Sequence, residues 1–254
     1  MTIASIRKWV EDAKRIVILT GAGISTESGI QDFRGPQGLW TKDPQAEKLS
    51  NIHYYVADPE IRRKSWQARL SHPAWTARPN AGHAAIVELE RHGKLHVLIT
   101  QNIDGLHQKA GNSPERVIEV HGTVHKVVCL SCGWKGPMQA TLDRVRSGES
   151  DPPCGHCGGI LKSDTISFGQ ALVPDVIDRA MQSAAEADLL LAIGTSLQVY
   201  PIAGAVPAAK HAGARVVIVN AEPTPFDGIA DAVLRDSIGE TLPRIVGMSA
   251  VPLA

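Results

Sequence analysis

LHVLITQNIDGLHQKAG, residues 95–111, reads as a buried strand running into a polar turn. Leu95, Val97, Leu98 and Ile99 make an apolar run of strand length, and Asn102, Asp104 and His107 crowd the turn that follows. In an open α/β sheet, ligands sit in the loops beyond the carboxyl ends of the strands. A polar cluster there is a site candidate. The plainer alternative is that Asn102 and Asp104 merely cap a turn.

The same pattern recurs along the chain. The strand Arg15 to Leu19 runs into Thr20-Gly21-Ala22-Gly23, and Val117 to Val120 ends at His121-Gly122. DLLLAI (188–193) leads to Gly194-Thr195-Ser196, RVVIV (215–219) leads to Asn220-Ala221-Glu222, and Asp231 to Leu234 is a last short strand. At least five buried strands with small or polar residues at their carboxyl ends imply a parallel sheet crested by ligand-binding loops. Helices are expected over 3–13, over Ala81–Arg91 with Gly93 as the stop, over Pro174–Ala187, and from Pro201 to a stop at Gly213.

The first of these loops is unusual. Its glycine turn places backbone N–H groups where a phosphate could lie. With two glycines and no acid on a matching second strand, it falls short of the full dinucleotide fingerprint. Ser25, Ser28, Gly29, Asp32, Phe33, Arg34 and Gly35 then extend it well beyond a normal β–α turn, as functional loops do. Each also has a structural alternative, as a helix cap, an ion pair or a core plug. From Gly38 to Ala77 the βαβ rhythm lapses, with Trp40, Tyr54, Tyr55, Trp66 and Trp75 scattered among charges and prolines. This segment reads as a helical excursion belonging to a smaller module or lid.

Cys129-x-x-Cys132 and Cys154-x-x-Cys157 stand 21 residues apart, account for all four cysteines, and are each followed by glycine. Two such knuckles read as a closed, tetrahedral, structural zinc site and leave no thiol as a nucleophile. An iron–sulfur centre is the alternative metal, and His125 and His156 are competing ligands by proximity. Both the ribbon and the helical excursion are insertions near the crest, so a cleft between the two parts is the natural pocket.

Bulk composition narrows the classes of function. The 254 residues carry 26 acidic and 26 basic side chains, so neither a nucleic-acid surface nor a polybasic membrane patch is indicated. No run approaches the roughly 20 apolar residues of a membrane span, and no signal-peptide pattern opens the chain. The expectation is a cytoplasmic protein with reduced thiols.

Taken in order, GAGISTESGIQDFRG (21–35), TQNIDGLHQKAG (100–111), HG (121–122), the four-cysteine ribbon, ISFG (166–169), GTSLQVYP (194–201) and VNAEPT (219–224) resemble the sirtuins. This is the family of NAD-dependent protein deacylases, here in the bacterial type with a four-cysteine zinc ribbon. The resemblance covers nearly the whole chain. It implies an α/β fold: a Rossmann-like parallel sheet with helices on both faces, plus a small domain made of the zinc ribbon and a helical module. Residues 1–37, 79–122 and 166–254 would form the large domain. The helical module would span 38–78 and the ribbon module 123–165.

The resemblance also assigns roles. Gly21, Ala22, Gly23, Ser25, Asp32, Phe33 and Arg34 would lie along the diphosphate and ribose of NAD, and Gln101, Asn102 and Asp104 along the nicotinamide and its ribose. Gly194, Thr195, Ser196, Asn220, Glu222 and Ile238 would face the adenosine half. Ser167, Phe168 and Gly169 on one side, and Leu197 to Val199 on the other, would pair with an extended substrate segment carrying acetyl-lysine. Phe33 and His121 would touch the acyl-lysine itself. In the family mechanism the acetyl oxygen attacks the ribose carbon as nicotinamide leaves, and water then yields lysine and O-acetyl-ADP-ribose. His121 would be the general base toward the ribose hydroxyls, Asn102 would hold water or ribose, and Asp104 would orient the nicotinamide amide. A histidine, with its ordinary pKa near 6.5, suits the base role.

The implied enzyme is a deacetylase with NAD as co-substrate and one structural zinc; a monomer is expected, with the oligomeric state not determined by sequence. Removal of other or acidic acyl groups, mono-ADP-ribosyl transfer, and a non-catalytic NAD sensor are the alternatives. The chain departs from the family pattern at Gln31, at Gln170, and at Ser163 after Lys162. Members that remove succinyl or malonyl groups resemble one another in a Tyr-x-x-Arg pair, for which this chain offers Trp66-x-x-Arg69.

Overall fold

The computed structural model describes residues 2–32 and 46–247. Helix α1 (Ile3–Asp12) is capped by the Thr2 side chain and buries Ile6 and Val10. Strand β1 (Ile16–Thr20) follows, then a tight 3₁₀ segment, Ala22–Ser28. Among the described residues of the helical excursion are three short helices, α2 (Ala46–Leu49), α3 (Ile52–Ala57) and α4 (Pro59–Leu70). Helix α5 (Ala81–Arg91) leads to β2 (Leu95–Thr100), α6 (Leu106–Ala110) and β3 (Val117–Glu119). The ribbon segment holds β4 (Gly122–Cys129), β5 (Lys135–Pro137), α7 (Met138–Arg146) and β6 (Leu161–Thr165). Then come α8 (Pro174–Ala185), β7 (Leu189–Ile193), α9 (Ala205–His211), β8 (Arg215–Val219), β9 (Ala232–Leu234) and α10 (Ile238–Val246).

The large sheet is parallel throughout, in the order β3-β2-β1-β7-β8-β9. Side chains alternate faces along a strand, so β1 feeds two separate cores. Ile16 and Ile18 pack with α1, α5 and α10 on one face, whereas Val17 and Leu19 pack with α8 and α9 on the other. Each such fully buried side chain contributes about 1.5–3 kcal/mol relative to exposure. From β1 the chain works outward through β2 and β3, then returns to place β7 on the opposite side of β1. The carboxyl ends of β1 and β7 therefore flank the point where the strand order reverses, which is where such sheets bind ligands.

At that point the two loops meet backbone to backbone. The Gly21 N–H donates to Ile193 O at 3.1 Å and the Gly23 N–H to Gly194 O at 2.8 Å. Gly194 has φ +61°, and a Cβ there would stand 2.4 Å from the Ile24 nitrogen. Gly194→Ala is expected to cost about 2–4 kcal/mol, adding left-handed strain to overlap with rigid backbone. A urea-unfolding midpoint equal to that of the wild type would contradict this.

The second sheet is antiparallel, β5-β4-β6. Its insertion leaves and rejoins the large sheet at one place: Gly122 pairs with Thr165, and the Ile166 N–H donates to His121 O at 2.8 Å. Trp66 of α4 is 1 % exposed and packs with Val127, Cys129, Met138, Leu142, Val145, Cys154 and Leu161. One hydrophobic core thus joins the helical excursion to the ribbon.

Several expected elements shift. Pro201 does not begin a helix: a 3₁₀ turn occupies Ile202–Gly204 and α9 starts at Ala205. Helix α8 stops at Ala185, two residues short of Ala187. Helix α10 forms although Pro243, which lacks an N–H, lies in its interior. Burial of Leu242 and Ile245 in the core shared with α5, and a Ser237 cap on Glu240 N, outweigh that loss. Phe33, Arg34 and Trp40 lie outside the described residues. Among the described residues, no helix is long and apolar enough to cross a membrane.

Candidate functional site

The crest loops are tied into one polar constellation. Asn102 and Asp104 are 9 % and 5 % exposed, so their polar atoms need protein partners. The Asn102 amide donates to Gly21 O at 3.0 Å and to Ser25 Oγ at 3.3 Å. Ser25 Oγ donates to Asp104 Oδ2 at 2.8 Å, and Asp104 Oδ1 accepts from Leu106 N at 2.9 Å. Asp104 does cap a turn, as the plainer reading held, and its second oxygen joins the site as well. Gln101 Nε2 reaches across β1 to Thr195 Oγ1 at 2.8 Å, linking the ends of β2 and β7.

His121 stands at the junction of the two sheets. Its Nδ1 lies 3.0 Å from Gln101 O, and a carbonyl can only accept, so Nδ1 carries the proton. Nε2 is then left with a lone pair. Burial lowers the His121 pKa below the ordinary 6.5, partly opposed by the bond to Gln101 O. The ring is therefore neutral and basic at Nε2 near pH 7. Gly122, at φ +72°, holds this junction because a Cβ would meet Asp164 O at 2.1 Å.

Other expected site residues fall less closely together. Gly21, Ala22, Gly23 and Gly194 form the switch-point turn, with Ser196 half-buried beside Thr195. Leu197 is 1 % exposed at φ +54°, a strained backbone that keeps its side chain in the core. Val199 is half-buried. Asn220 turns its amide onto Glu222 O at 2.8 Å, and Arg235 donates to the carbonyls of both residues at 2.7 Å. Glu222 is exposed. Ile238 packs over Gly82 and against the core of the large sheet.

The Phe168 backbone is paired within the chain. Its N–H donates to Ser50 O at 2.8 Å and its O accepts from Ile52 N at 3.0 Å. The neighbouring Ser167 closes a turn with Gln170, and the Phe168 side chain is 38 % exposed beside it. Gln170, one of the departures, accepts from Ser167 N at 3.2 Å and closes the turn. Ser163, another departure, accepts from Arg69 at 3.0 Å.

The four cysteine sulfurs lie within 4.8 Å of one another, with Cys129–Cys157 at 3.5 Å and Cys132–Cys154 at 3.9 Å. Tetrahedral zinc with bonds of about 2.3 Å sets its sulfurs roughly 3.8 Å apart, so the donor set fits that ion. Backbone N–H groups of Cys132 and Ser131 aim at Cys129 and favour its thiolate, while the neighbouring sulfurs push the Cys157 thiol up. Neither nearby histidine belongs to this group. His156 stacks on Trp134 with ring centres 5.0 Å apart. His125 Nε2 donates to Asp104 O at 2.8 Å and its ring meets Trp75 edge-on, which bridges the small domain to the Asn102 loop.

Sequence reading missed His125 in this bridging position, and it missed Asn80. The Asn80 amide holds the Ala22–Ser28 turn through Ile24 O at 2.8 Å and Ser28 Oγ at 2.9 Å. Its place as the cap of α5, with His83 three residues on, was the available signal.

A model of the Sir2 family matches residues 21–201. The NAD-dependent protein deacetylase 2 of Streptomyces coelicolor is 52 % identical over 231 residues, covering 91 % of this chain and 96 % of that protein. The NAD-dependent protein deacetylase of Sulfurisphaera tokodaii is 44 % identical over 231 residues, covering 91 % and 89 %. Among solved structures, a Sir2–p53 peptide–NAD⁺ complex superposes with a TM-score of 0.86 at 32 % identity, covering 97 % of this chain and 98 % of that one. A Sir2 protein bound to acetylated peptide gives 0.85 at 31 % identity, with the same coverage. With a family model spanning most of the chain and relatives of this identity and coverage, the chain belongs to the Sir2 family.

Proposed function

We propose that this protein is an NAD-dependent protein lysine deacetylase that transfers the acetyl group to ADP-ribose. The observation that carries this reading is His121, neutral and basic at Nε2, held beside the Gly21–Ser25–Asn102–Asp104 constellation. The relatives named above as deacetylases support it. NAD supplies a glycosidic bond whose nicotinamide is a good leaving group. The chain's residues do the rest: the switch-point amides of Gly21 to Gly23 hold phosphate, and Thr195, Ser196, Asn220 and Glu222 face the adenosine half. Asn102 holds water or ribose, Asp104 orients the nicotinamide amide, and His121 takes the proton of a ribose hydroxyl. By the family resemblance, Phe33 would close over the acyl group and exclude water, and Arg34 would lie along the diphosphate and ribose. Ser167, Gly169, Leu197 and Val199 seat the substrate segment, and the four cysteines hold a structural zinc. The chain divides at about 37, 78, 122 and 165 into large-domain parts and the two small-domain modules.

Incubating the protein with an acetyl-lysine peptide and NAD should yield nicotinamide, deacetylated peptide and O-acetyl-ADP-ribose in equal amounts. Nicotinamide release with ADP-ribose attached to protein, and no deacetylation, would defeat the reading in favour of ADP-ribosyl transfer. Neither product would leave a binding module.

One observation favours a second acyl preference. Trp66 Nε1 is buried without a partner, and among the described residues Arg69, three positions on, has no carboxylate partner. Arg69, which donates to Ser163, is the cation an acidic acyl group would need, and Trp66 lies in the ribbon core. Comparing kcat/KM for acetyl and succinyl peptides decides between them.

A further inference from the structure

His83 on α5 and His107 on α6 are 0 % and 1 % exposed, with ring centres 4.9 Å apart. Each keeps one buried ring nitrogen without a partner, His83 Nε2 and His107 Nδ1. Hydrogen-bond accounting fixes which atoms carry protons. The Asn80 N–H donates to His83 Nδ1 at 3.3 Å, and Asn80 Oδ1, 3.1 Å from that nitrogen, already accepts from Gly82 N and His83 N. His83 Nδ1 is therefore the acceptor, and its proton sits on Nε2.

At the other ring, Thr20 spends its only proton on Thr100 Oγ1 at 2.8 Å. Thr20 Oγ1, 3.0 Å from His107 Nε2, must then accept, so His107 is protonated at Nε2 and bare at Nδ1. The two unpartnered nitrogens are thus one donor and one acceptor, on neighbouring rings. Thr100 Oγ1 in turn accepts from the Asn102 backbone N–H at 3.0 Å.

We propose that His83 and His107 form a neutral, tautomer-locked pair of positioning residues that fixes the Thr20–Thr100–Asn102 chain from beneath the cofactor pocket. Asn80 ties the same network to the Ala22–Ser28 turn on its other side, so the pair sets both walls of the pocket together. The proposal rests on the reading of Asn102 as a site residue. Burial keeps both rings neutral: His83 is held down at about 4 even though Asp104 and Glu27 face it, and His107 lies well below 6.5 with His83 beside it.

Two measurements test this. Long-range ¹H–¹⁵N spectra of the histidine-labelled wild-type protein at pH 7 and 5.5 should show two neutral rings protonated at Nε2. An imidazolium, or an Nδ1–H tautomer in either ring, would overturn the pairing. In kinetics, His107→Leu should lower kcat about 10- to 100-fold through misplacement of Asn102, with KM for the peptide unchanged. His107→Gln, which keeps a donor near the Nε2 position, should return kcat to within about threefold of wild type. Equal losses in both variants, tracking their melting temperatures, would reduce the pair to packing and refute the proposal. If the wild type shows no turnover, the deacetylase reading fails by itself. Calorimetric NAD binding then judges the pair: weakened in His107→Leu and restored in His107→Gln supports it, and no difference refutes it.

Discussion

Replacing His121 with alanine is expected to lower kcat for deacetylation by about 10²–10⁴-fold, the range a general base contributes, while the fold survives. The ring is half-buried at a junction made by backbone: Gly122 pairs with Thr165, and Ile166 bonds to the His121 carbonyl, so both sheets keep their contacts without the imidazole. NAD affinity should change little, because the cradle residues Gly21, Ser25, Asn102 and Asp104 are bonded to one another and not to this ring. The pH profile gives an independent check. The base works as the neutral form, and burial pushes its pKa below 6.5. Activity should therefore be level near pH 7 and fall only as the pH drops below 6.5. An acid limb centred above 6.5, or full turnover in His121→Ala, would remove the residue from the base role.

Cys129→Ser is the second large effect, and it acts on stability. The small domain has a core of eight buried residues, two of them cysteines of the metal group, so its packing and its metal are one structure. Structural zinc binding in small domains is worth roughly 10–16 kcal/mol near neutral pH, and much of that is folding free energy. Removing one thiolate should lower the melting temperature by more than about 10 °C and abolish stoichiometric zinc, as a strong chelator should in the wild type. The damage should reach the active site, since β4 and β6 flank His121 and His125 bonds to the Asp104 carbonyl. Well-folded wild-type protein that contains no zinc by metal analysis would break the assignment.

Much of this protein is determined locally. Apolar runs ending in polar residues fix six strands and point their carboxyl ends at one crest, because period and burial are properties of short segments. The cysteine knuckles fix a four-thiolate group by spacing, which the sulfur distances then match. Helix Ala81–Arg91 keeps its expected limits because its cap and stop are written in adjacent residues. Helix α10 shows the opposite case: its Pro243 speaks against a helix locally, and only packing against a distant element decides it.

What only the tertiary structure decides is which atoms meet. Whether Asp104 caps a turn or joins a site was open in sequence; it does both, because Ser25 arrives from a loop 79 residues away. His125 looked like a neighbour of the zinc group and turns out to brace the Asn102 loop. Likewise, the Phe168 backbone is spent on Ser50 and Ile52. The tautomers of His83, His107 and His121 depend on partners supplied by other strands and helices. A hydrogen bond needs both ends within about 3 Å, and residues far apart in sequence carry no local sign of which will be brought that close.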